Sequence, residues 1–182
     1  MKEIDRIDKE FTKSAKALQI ETEKLTFSRI CEFKVNKNSS SNIPWETLKY
    51  PGIYLIEIKN DGNFNSFESW VEDFREKWED ERYLKSHTPN LIKTRIEKHT
   101  DLGEWIPIYL GKAETIGSRI REHIFKELCK TTYALKLNAR ENLENEIFRL
   151  KTIKCQVANY KLIVPSIESQ LRNKINPLIG KQ

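Results

Sequence analysis

The fold is decided by two short stretches, Pro51-Gly52-Ile53-Tyr54 and Ile108-Tyr109-Leu110-Gly111. Each stretch lies in or leads into an apolar run rich in β-branched and aromatic residues, which predicts strands over residues 53–58 and 105–110. Pro107 lacks a backbone N–H, so it indicates an edge or a bulge in the second strand. The sequence thus places a tyrosine and a glycine on, or at the end of, each of two strands.

Apolar residues at three- and four-residue steps predict helices on both sides of these strands. The stripe of aromatic residues after Phe64 has this spacing. Packing on the sheet or on a second protomer is its main interpretation, and stacking on nucleic-acid bases is the alternative. The helices are predicted over residues 3–22, from 64 to 78, after Pro89, over 116–128, over 139–150, and from Pro165 to Ile175, where Asn176-Pro177 ends the last one.

Other segments are strands, loops or turns by their composition. The alternation of Ile153, Cys155 and Val157 with less apolar residues predicts a strand over residues 153–160. The apolar run over 25–33 fits either an extension of the first helix or a strand. Clusters of Asn, Ser, Asp and Gly predict a loop over 36–42 and turns over 60–63 and 101–103.

This order of elements predicts a small α/β domain. Its sheet is expected to be three-stranded and antiparallel, flanked by helices, with an N-terminal helix and a helical insert between the first two strands. Residues 1–47 form the N-terminal helical extension and loop, and residues 48–182 form the main domain, with the insert at 59–104. A chain of 182 residues accommodates one domain with such elaborations.

Charge is unevenly divided along the chain, whose net charge is +5. Residues 1–104 carry 18 Lys and Arg against 20 Asp and Glu, whereas residues 105–182 carry 14 against 7. The basic half predicts either attraction of a polyanion such as DNA or RNA, or a solvated basic surface. No run is long and apolar enough to predict a membrane segment. Three widely spaced cysteines favour a reducing, cytoplasmic setting over a disulfide framework or structural zinc.

Charged residues follow the second strand at a regular spacing. Arg119 comes ten residues after Tyr109, and His123 comes four residues after Arg119, so these two share one face of a predicted helix. This ordered set resembles the GIY-YIG nuclease superfamily. Its two motifs read here as Gly52-Ile53-Tyr54 and Tyr109-Leu110-Gly111, with Leu in place of the usual Ile or Val.

The resemblance, over about residues 48–58 and 105–180, implies a metal-dependent DNA endonuclease of the restriction or homing type. It implies DNA as the partner and Mg²⁺ or Mn²⁺ held by Glu168, and a homodimer is one expected assembly. The chain departs from the family in the long insert between the two motifs, and Gly180 stands near the place of a C-terminal Asn. The expected catalytic residues are Tyr54, Tyr109, Lys112, Arg119, His123 and Glu168.

The chemistry of these side chains is consistent with those roles. Carboxylates bind hard divalent cations, and Glu168 is the only acidic residue after Glu146. Arg119 offers a fork of donors to phosphate, and His123 can orient or deprotonate a tyrosine or a water. Lys112 can contact phosphate or lower the pKa of a tyrosine. Each also has a structural alternative: a helix N-terminal carboxylate, a surface arginine, a structural histidine and a solvated lysine.

Contacts with DNA are also expected outside this set. Arg121 lies on a different helix face from Arg119 and is predicted to contact the DNA backbone. The first insert helix carries an acidic face, so contacts from the insert are expected from the basic stretch Lys93, Arg95 and Lys98. The alternative function is a nucleic-acid-binding or assembly module that keeps the fold without activity, which the missing C-terminal Asn favours.

Overall fold

The computed structural model describes residues 1–35 and 42–180, so most of the loop predicted over 36–42 lies outside the described residues. The strands are β1 (Ser28–Lys34), β2 (Gly52–Lys59), β3 (Asn90–Leu91), β4 (Trp105–Ala113), β5 (Ile147–Lys154) and β6 (Ile179–Gly180). The α-helices are α1 (Lys2–Glu23), α2 (Phe67–Trp78), α3 (Lys93–Ile96), α4 (Ile116–Phe125) and α5 (Tyr160–Ile175). Short 3-10 helices cover Trp45–Thr47, Leu137–Ala139 and Glu141–Leu143.

Within the described residues, four strands form one antiparallel sheet in the order β1-β5-β2-β4. The prediction of a three-stranded sheet is therefore wrong, because β1 adds a strand beside β5. Phe33 of β1 lies opposite Phe148 of β5, with 5.7 Å between the stacked ring centroids. This cross-strand aromatic pair stabilises the added strand. A separate pairing of β3 with β6 makes a second, two-stranded sheet.

The helix predicted over residues 139–150 is wrong. The segment forms two short 3-10 turns and then the first half of β5. Leu143, Ile147 and Leu150 have helical spacing, but Phe148 and Leu150 also alternate with half-buried residues as a strand does. Pairing of β5 with strands on both of its sides decides in favour of the strand.

The last helix begins earlier than the sequence indicates. α5 starts at Tyr160 and contains Pro165, which predicts a helix start because proline lacks the N–H that a helix interior needs. Val164 is fully buried and Tyr160 packs against the same core, so burial outweighs the hydrogen bond that the proline removes. The strand predicted over 153–160 accordingly ends at Lys154.

The other elements lie close to their predicted positions, with one exception. α1, α2 and α4 confirm the helices predicted over 3–22, 64–78 and 116–128, within a few residues at their ends. The apolar run over residues 25–33, for which the sequence left both a helix and a strand possible, forms most of β1. The segment after Pro89 is not one long helix, because it forms the short strand β3 and the single turn α3.

The aromatic stripe of the insert packs into the core of this chain. Phe67, Trp70, Phe74 and Trp78 are buried with β2 residues, and their successive ring centroids lie 6.2, 5.1 and 6.0 Å apart. This confirms the packing interpretation of the stripe. The Asn60 N–H donates to the Glu104 carbonyl at 2.9 Å, which closes the insert at its base between β2 and β4.

The opposite face of the sheet packs against α5 and the end of α1. Its core contains Ile53, Leu55 and Leu110 from the strands, with Ile167 and Leu171 from α5. α1 reaches this core only near its C-terminal end, while the apolar side chains of its first turns are exposed. In the part of the chain that the structure describes, no helix has the length and apolar character to span a membrane.

Gly52 allows β2 and β5 to approach each other at the start of β2. A Cβ at this position would overlap the Ile153 carbonyl oxygen and would lie 3.2 Å from the Ile116 side chain. The overlapped atom belongs to the backbone of a central strand, so relief requires movement of the sheet. The glycine of the first motif is thus a steric requirement of the fold.

We predict that Gly52→Ala lowers the free energy of unfolding by about 1–3 kcal/mol, because the added methyl forces backbone atoms apart. Urea unfolding followed by circular dichroism measures the change. Gly103→Ala is the matched control, since its Cβ would meet its nearest atom at 3.5 Å, an ordinary contact. Equal losses in the two variants would contradict the steric explanation.

Candidate active site

The tyrosine of the first motif lies directly over the glycine of the second. Tyr54 in β2 is the cross-strand partner of Gly111 in β4, and a Cβ on Gly111 would overlap the Tyr54 hydroxyl. Tyr109, two residues earlier in β4, stacks against Tyr54 with 6.2 Å between ring centroids. The absence of a side chain at Gly111 therefore lets both phenol rings occupy one face of the sheet.

His123 fixes the orientation of the Tyr54 hydroxyl. The two side chains are hydrogen-bonded, with 2.9 Å between Tyr54 Oη and His123 Nε2. The Leu135 backbone N–H donates to His123 Nδ1 at 3.1 Å, so Nδ1 is an acceptor. A neutral imidazole then carries its proton on Nε2 and donates it to Tyr54 Oη. The hydrogen of the Tyr54 hydroxyl consequently points away from His123.

Burial keeps both members of this pair neutral. His123 is fully buried, and burial, followed by the charge of Arg119, lowers its pKa well below the usual value. Burial also raises the pKa of Tyr54 well above its usual value, with Tyr109 as the next cause and Arg119 acting in the opposite direction. The arrangement therefore presents a phenol as a hydrogen-bond donor, with its protonation state fixed around neutral pH.

Arg119 approaches the same pair from α4. Burial opposes its charge, but the nearby Tyr54 and the Glu122 carboxylate raise the pKa of Arg119 above its usual value. The guanidinium donates to the Tyr133 carbonyl oxygen at 2.7 Å and to Glu122. One turn of α4 separates Arg119 from His123, so a single helix face carries both side chains to the tyrosines. We call Tyr54, Tyr109, Arg119 and His123 the tyrosine cluster.

Lys112 and Glu168 form a second group on the other face of the sheet. Side chains alternate along a strand, so Lys112 points opposite to Gly111 and Tyr109. Its Nζ lies 2.8 Å from Glu168 Oε2, and Arg172 donates to Glu168 Oε1. Glu168 is 8% exposed and lies on α5 between Ile167 and Leu171, which face the core. We call Lys112, Glu168 and Arg172 the carboxylate cluster.

The two clusters meet around β4, the last strand in the order of the main sheet. Gly111 and Lys112 are adjacent residues that face opposite sides, and the charge of Glu168 contributes to the raised pKa of Tyr54. The structure thus brings the predicted catalytic residues to one end of β4, as two clusters on the two faces of the sheet.

Sequence reasoning missed two groups of this site. Arg172 follows Glu168 by four residues, so the spacing of an ion pair on a helix signals it. The Leu135 N–H, which sets the tautomer of His123, is a backbone group in the segment after α4. A backbone donor leaves no signal in the type of residue, so only the fold reveals it.

The basic residues expected to contact DNA differ in their surroundings. Arg121 stacks over Trp45, with 4.1 Å from its guanidinium carbon to the ring centroid. Lys93 and Lys98 are exposed. Arg95 is half-buried and donates to the Pro177 carbonyl oxygen at 3.3 Å, so it helps to hold the C-terminal segment. The exposed part of the predicted basic stretch is therefore Lys93 and Lys98.

Asn176 has a structural role at the end of the last helix. It follows α5 with a left-handed φ of 53°, a conformation that asparagine tolerates at helix ends, and its N–H bonds to the Arg172 carbonyl. The Asn176 carbonyl oxygen is bonded to His99 Nε2 of the insert at 2.8 Å. Asn176 therefore ends α5 and ties it to the insert.

Glu168 is the carboxylate of this site that the sequence predicts as the ligand of a divalent cation. Among residues 1–35 and 42–180, no group of three or more His, Cys, Asp or Glu side chains is placed to share a metal ion. The two Glu168 oxygens offer about four lone-pair positions, of which Lys112 and Arg172 use one each. Glu168 can thus serve as a single ligand to a hydrated Mg²⁺ or Mn²⁺, which binds few protein groups and keeps several waters.

Comparisons with protein-family models, with curated proteins and with solved structures found no match to this chain. The likeness to GIY-YIG nucleases accordingly remains a resemblance in the sequence motifs alone.

We predict that His123 makes the folded state less stable as the pH falls below about 6.5, the pKa of a histidine in the unfolded chain. Because its folded pKa is depressed, the unfolded state binds the proton first, and stability falls by up to about 1.4 kcal/mol per pH unit until the folded pKa is reached.

Urea unfolding between pH 7.5 and pH 5 of the wild type and of His123→Phe measures this contribution. The variant should lose the part of the pH dependence that His123 supplies, whereas His87→Phe, a change in a half-exposed loop residue, should keep it. An unchanged slope in His123→Phe would show that His123 is not the group responsible.

Proposed function

We propose that this chain is a metal-dependent DNA endonuclease of the GIY-YIG type that hydrolyses phosphodiester bonds, with a compact, restriction-like organisation. One observation carries the proposal. Tyr54, Tyr109, Arg119 and His123, from three separate elements, lie together on one face of the sheet at the end of β4, and Lys112 and Glu168 lie at the same end on the other face, near enough for the charge of Glu168 to act on Tyr54. Such a set of phenol, guanidinium, ammonium and carboxylate groups suits binding and hydrolysis of a phosphodiester.

Tyr54 and Arg119 supply the contacts to the attacking water and to the phosphate. Tyr54 is only 1% exposed, so in this proposal its neutral hydroxyl, oriented by His123, donates its hydrogen bond to the attacking water. The Arg119 guanidinium stabilises the negative charge that develops on the phosphoryl oxygens. Tyr109 stacks on Tyr54 and is the more exposed residue of the two, since it is half-buried whereas Tyr54 is buried.

His123 acts by orientation in this mechanism. Its Nδ1 already accepts the Leu135 N–H, and its Nε2 carries the proton that is donated to Tyr54. It therefore has no free lone pair with which to deprotonate the tyrosine. Of the two roles that the sequence left open for His123, orientation is the one that the hydrogen bonds support.

Glu168 would hold the Mg²⁺ or Mn²⁺ ion, and Lys112 would hold Glu168 beside β4. A divalent cation bound there supplies neutralisation of charge on the phosphate and on the leaving oxygen. Lys112 keeps one Glu168 oxygen fixed at 2.8 Å, and its remaining N–H groups can contact a phosphate. The basic side chains of this region also attract DNA at long range.

The alternative function is a nucleic-acid-binding or assembly module without activity. One observation favours it: the charged groups are paired with one another, since Glu168 bonds to Lys112 and Arg172 while Arg119 bonds to Glu122. A homodimer also stays a prediction. The aromatic stripe of α2 does not supply its interface, because the stripe is buried within the chain.

We predict that the purified protein cleaves plasmid DNA in Mg²⁺ or Mn²⁺ and not in EDTA, and that Glu168→Gln abolishes cleavage. The amide keeps the size of the side chain but loses the charge that binds a cation. Gel analysis of plasmid nicking measures the rate, and fluorescence anisotropy measures DNA affinity, which should change little. Glu144→Gln, at an exposed position, is the matched control.

Cleavage by Glu168→Gln at the wild-type rate would remove Glu168 from the mechanism. DNA binding by the wild type without any cleavage in Mg²⁺ or Mn²⁺ would favour the inactive module.

A second prediction concerns the surface of the insert. The double variant Lys93→Glu with Lys98→Glu should weaken DNA binding and reduce its salt dependence, because both side chains are exposed cations. The matched variant Glu72→Lys with Glu76→Lys changes the acidic face of α2 and should not weaken binding. Fluorescence anisotropy across a salt series measures both. Normal binding by the lysine variant, or loss of binding by a folded glutamate variant, would reverse this assignment of faces.

A further inference from the structure

Glu168 is held from two directions by cations on different elements. Lys112 reaches its Oε2 from β4, and Arg172 reaches its Oε1 from one turn further along α5. The carboxylate is nearly buried, whereas the Lys112 and Arg172 side chains are 36% and 32% exposed. Each oxygen therefore has a fixed partner, and the plane of the carboxylate is set by both cations together.

A second arginine, on another element, lies near enough to Arg172 for their charges to interact. Arg95 of the insert donates to the Pro177 carbonyl oxygen, and a Cβ on Gly180 would lie 2.8 Å from Arg95 Nη1, so the guanidinium lies against the C-terminal segment. Burial, followed by the charge of Arg172, lowers the pKa of Arg95. The two guanidinium groups carry like charges, and the Glu168 carboxylate offsets the repulsion that Arg172 meets from Arg95.

We propose that Arg172 is a positioning residue of the nuclease site, which holds the Glu168 carboxylate in the orientation that the reaction requires; this rests on the proposed function. With Lys112 alone, Glu168 keeps one oxygen fixed and can turn about that hydrogen bond. With Arg172 as well, the remaining lone pairs of both oxygens have fixed directions. Arg172 thus acts on the substrate through Glu168, without a contact of its own.

Because Arg172 is positively charged, positioning of Glu168 and direct help in metal binding predict different results when Arg172 is removed. A guanidinium next to Glu168 repels a divalent cation, so its removal should leave the affinity for metal unchanged or make it tighter. Loss of the orientation should nevertheless slow the reaction. A residue needed only for folding would, when removed, weaken metal binding and activity together.

The test compares Arg172→Met and Arg172→Lys with wild type and with Lys161→Met, an exposed position on the same helix. Plasmid nicking in Mn²⁺ gives kcat and KM, and isothermal titration with Mn²⁺ alone gives metal affinity. Arg172→Met should lower kcat by about 10- to 100-fold with little change in KM, as for other groups that orient metal ligands. Its Mn²⁺ affinity should equal or exceed that of wild type, and Arg172→Lys should recover most of kcat.

A wild-type kcat in Arg172→Met would overturn the proposal while leaving the nuclease function intact. A joint loss of kcat and Mn²⁺ affinity in both Arg172 variants would also overturn it, in favour of a role in folding. Failure of the wild type itself to cleave DNA would instead count against the proposed function. These outcomes are distinguishable because the first two require an active wild type.

Discussion

The close contact between Tyr54 and Gly111 sets the geometry of the whole site. The phenol ring occupies the space where any other residue at position 111 would place its Cβ. This contact requires β2 and β4 to pair in one register, and that register in turn places Tyr109 against Tyr54 and turns Lys112 to the opposite face. If the pairing of β2 with β4 slipped by one residue, the side chains of one strand would turn to the opposite face of the sheet. The residues of the two clusters would then no longer meet their partners on α4 and α5.

A different helix packs on each face of the sheet, α4 on one side and α5 on the other. α4 brings Arg119 and His123 to the tyrosines, and α5 brings Glu168 and Arg172 to Lys112. Neither helix carries a complete set of groups, and the two sets are joined only through β4. The protonation of the site follows from the same packing, because the burial that holds His123 against Tyr54 also keeps both of them neutral.

Local patterns in the sequence predicted the elements that local forces decide. The periodicity of α1, α2 and α4 and the apolar runs of β2 and β4 gave these elements nearly at their observed bounds, and the spacing of Arg119 and His123 predicted that they share a face. β5 was placed wrongly because Leu143, Ile147 and Leu150 fit a helix equally well, and only the two neighbouring strands resolve the ambiguity. The run over 25–33 fits a strand as one of two alternatives, but its pairing with β5 and the bond from the Leu135 N–H to His123 are contacts between separate elements, which no local pattern contains.

The burial of α2 constrains how this protein can change over evolution. The two ends of the insert meet at the Asn60–Glu104 hydrogen bond, an arrangement that would allow a segment to be removed without breaking the strands on either side. Its aromatic stripe, however, covers the same face of the sheet on which Tyr54 lies. Deletion of the insert would expose the apolar side chains of β2 and β4 that the stripe covers, so its loss is expected to lower the stability of the sheet. Change in the insert over evolution is therefore expected at its outward side chains, on a scaffold that is retained as a whole.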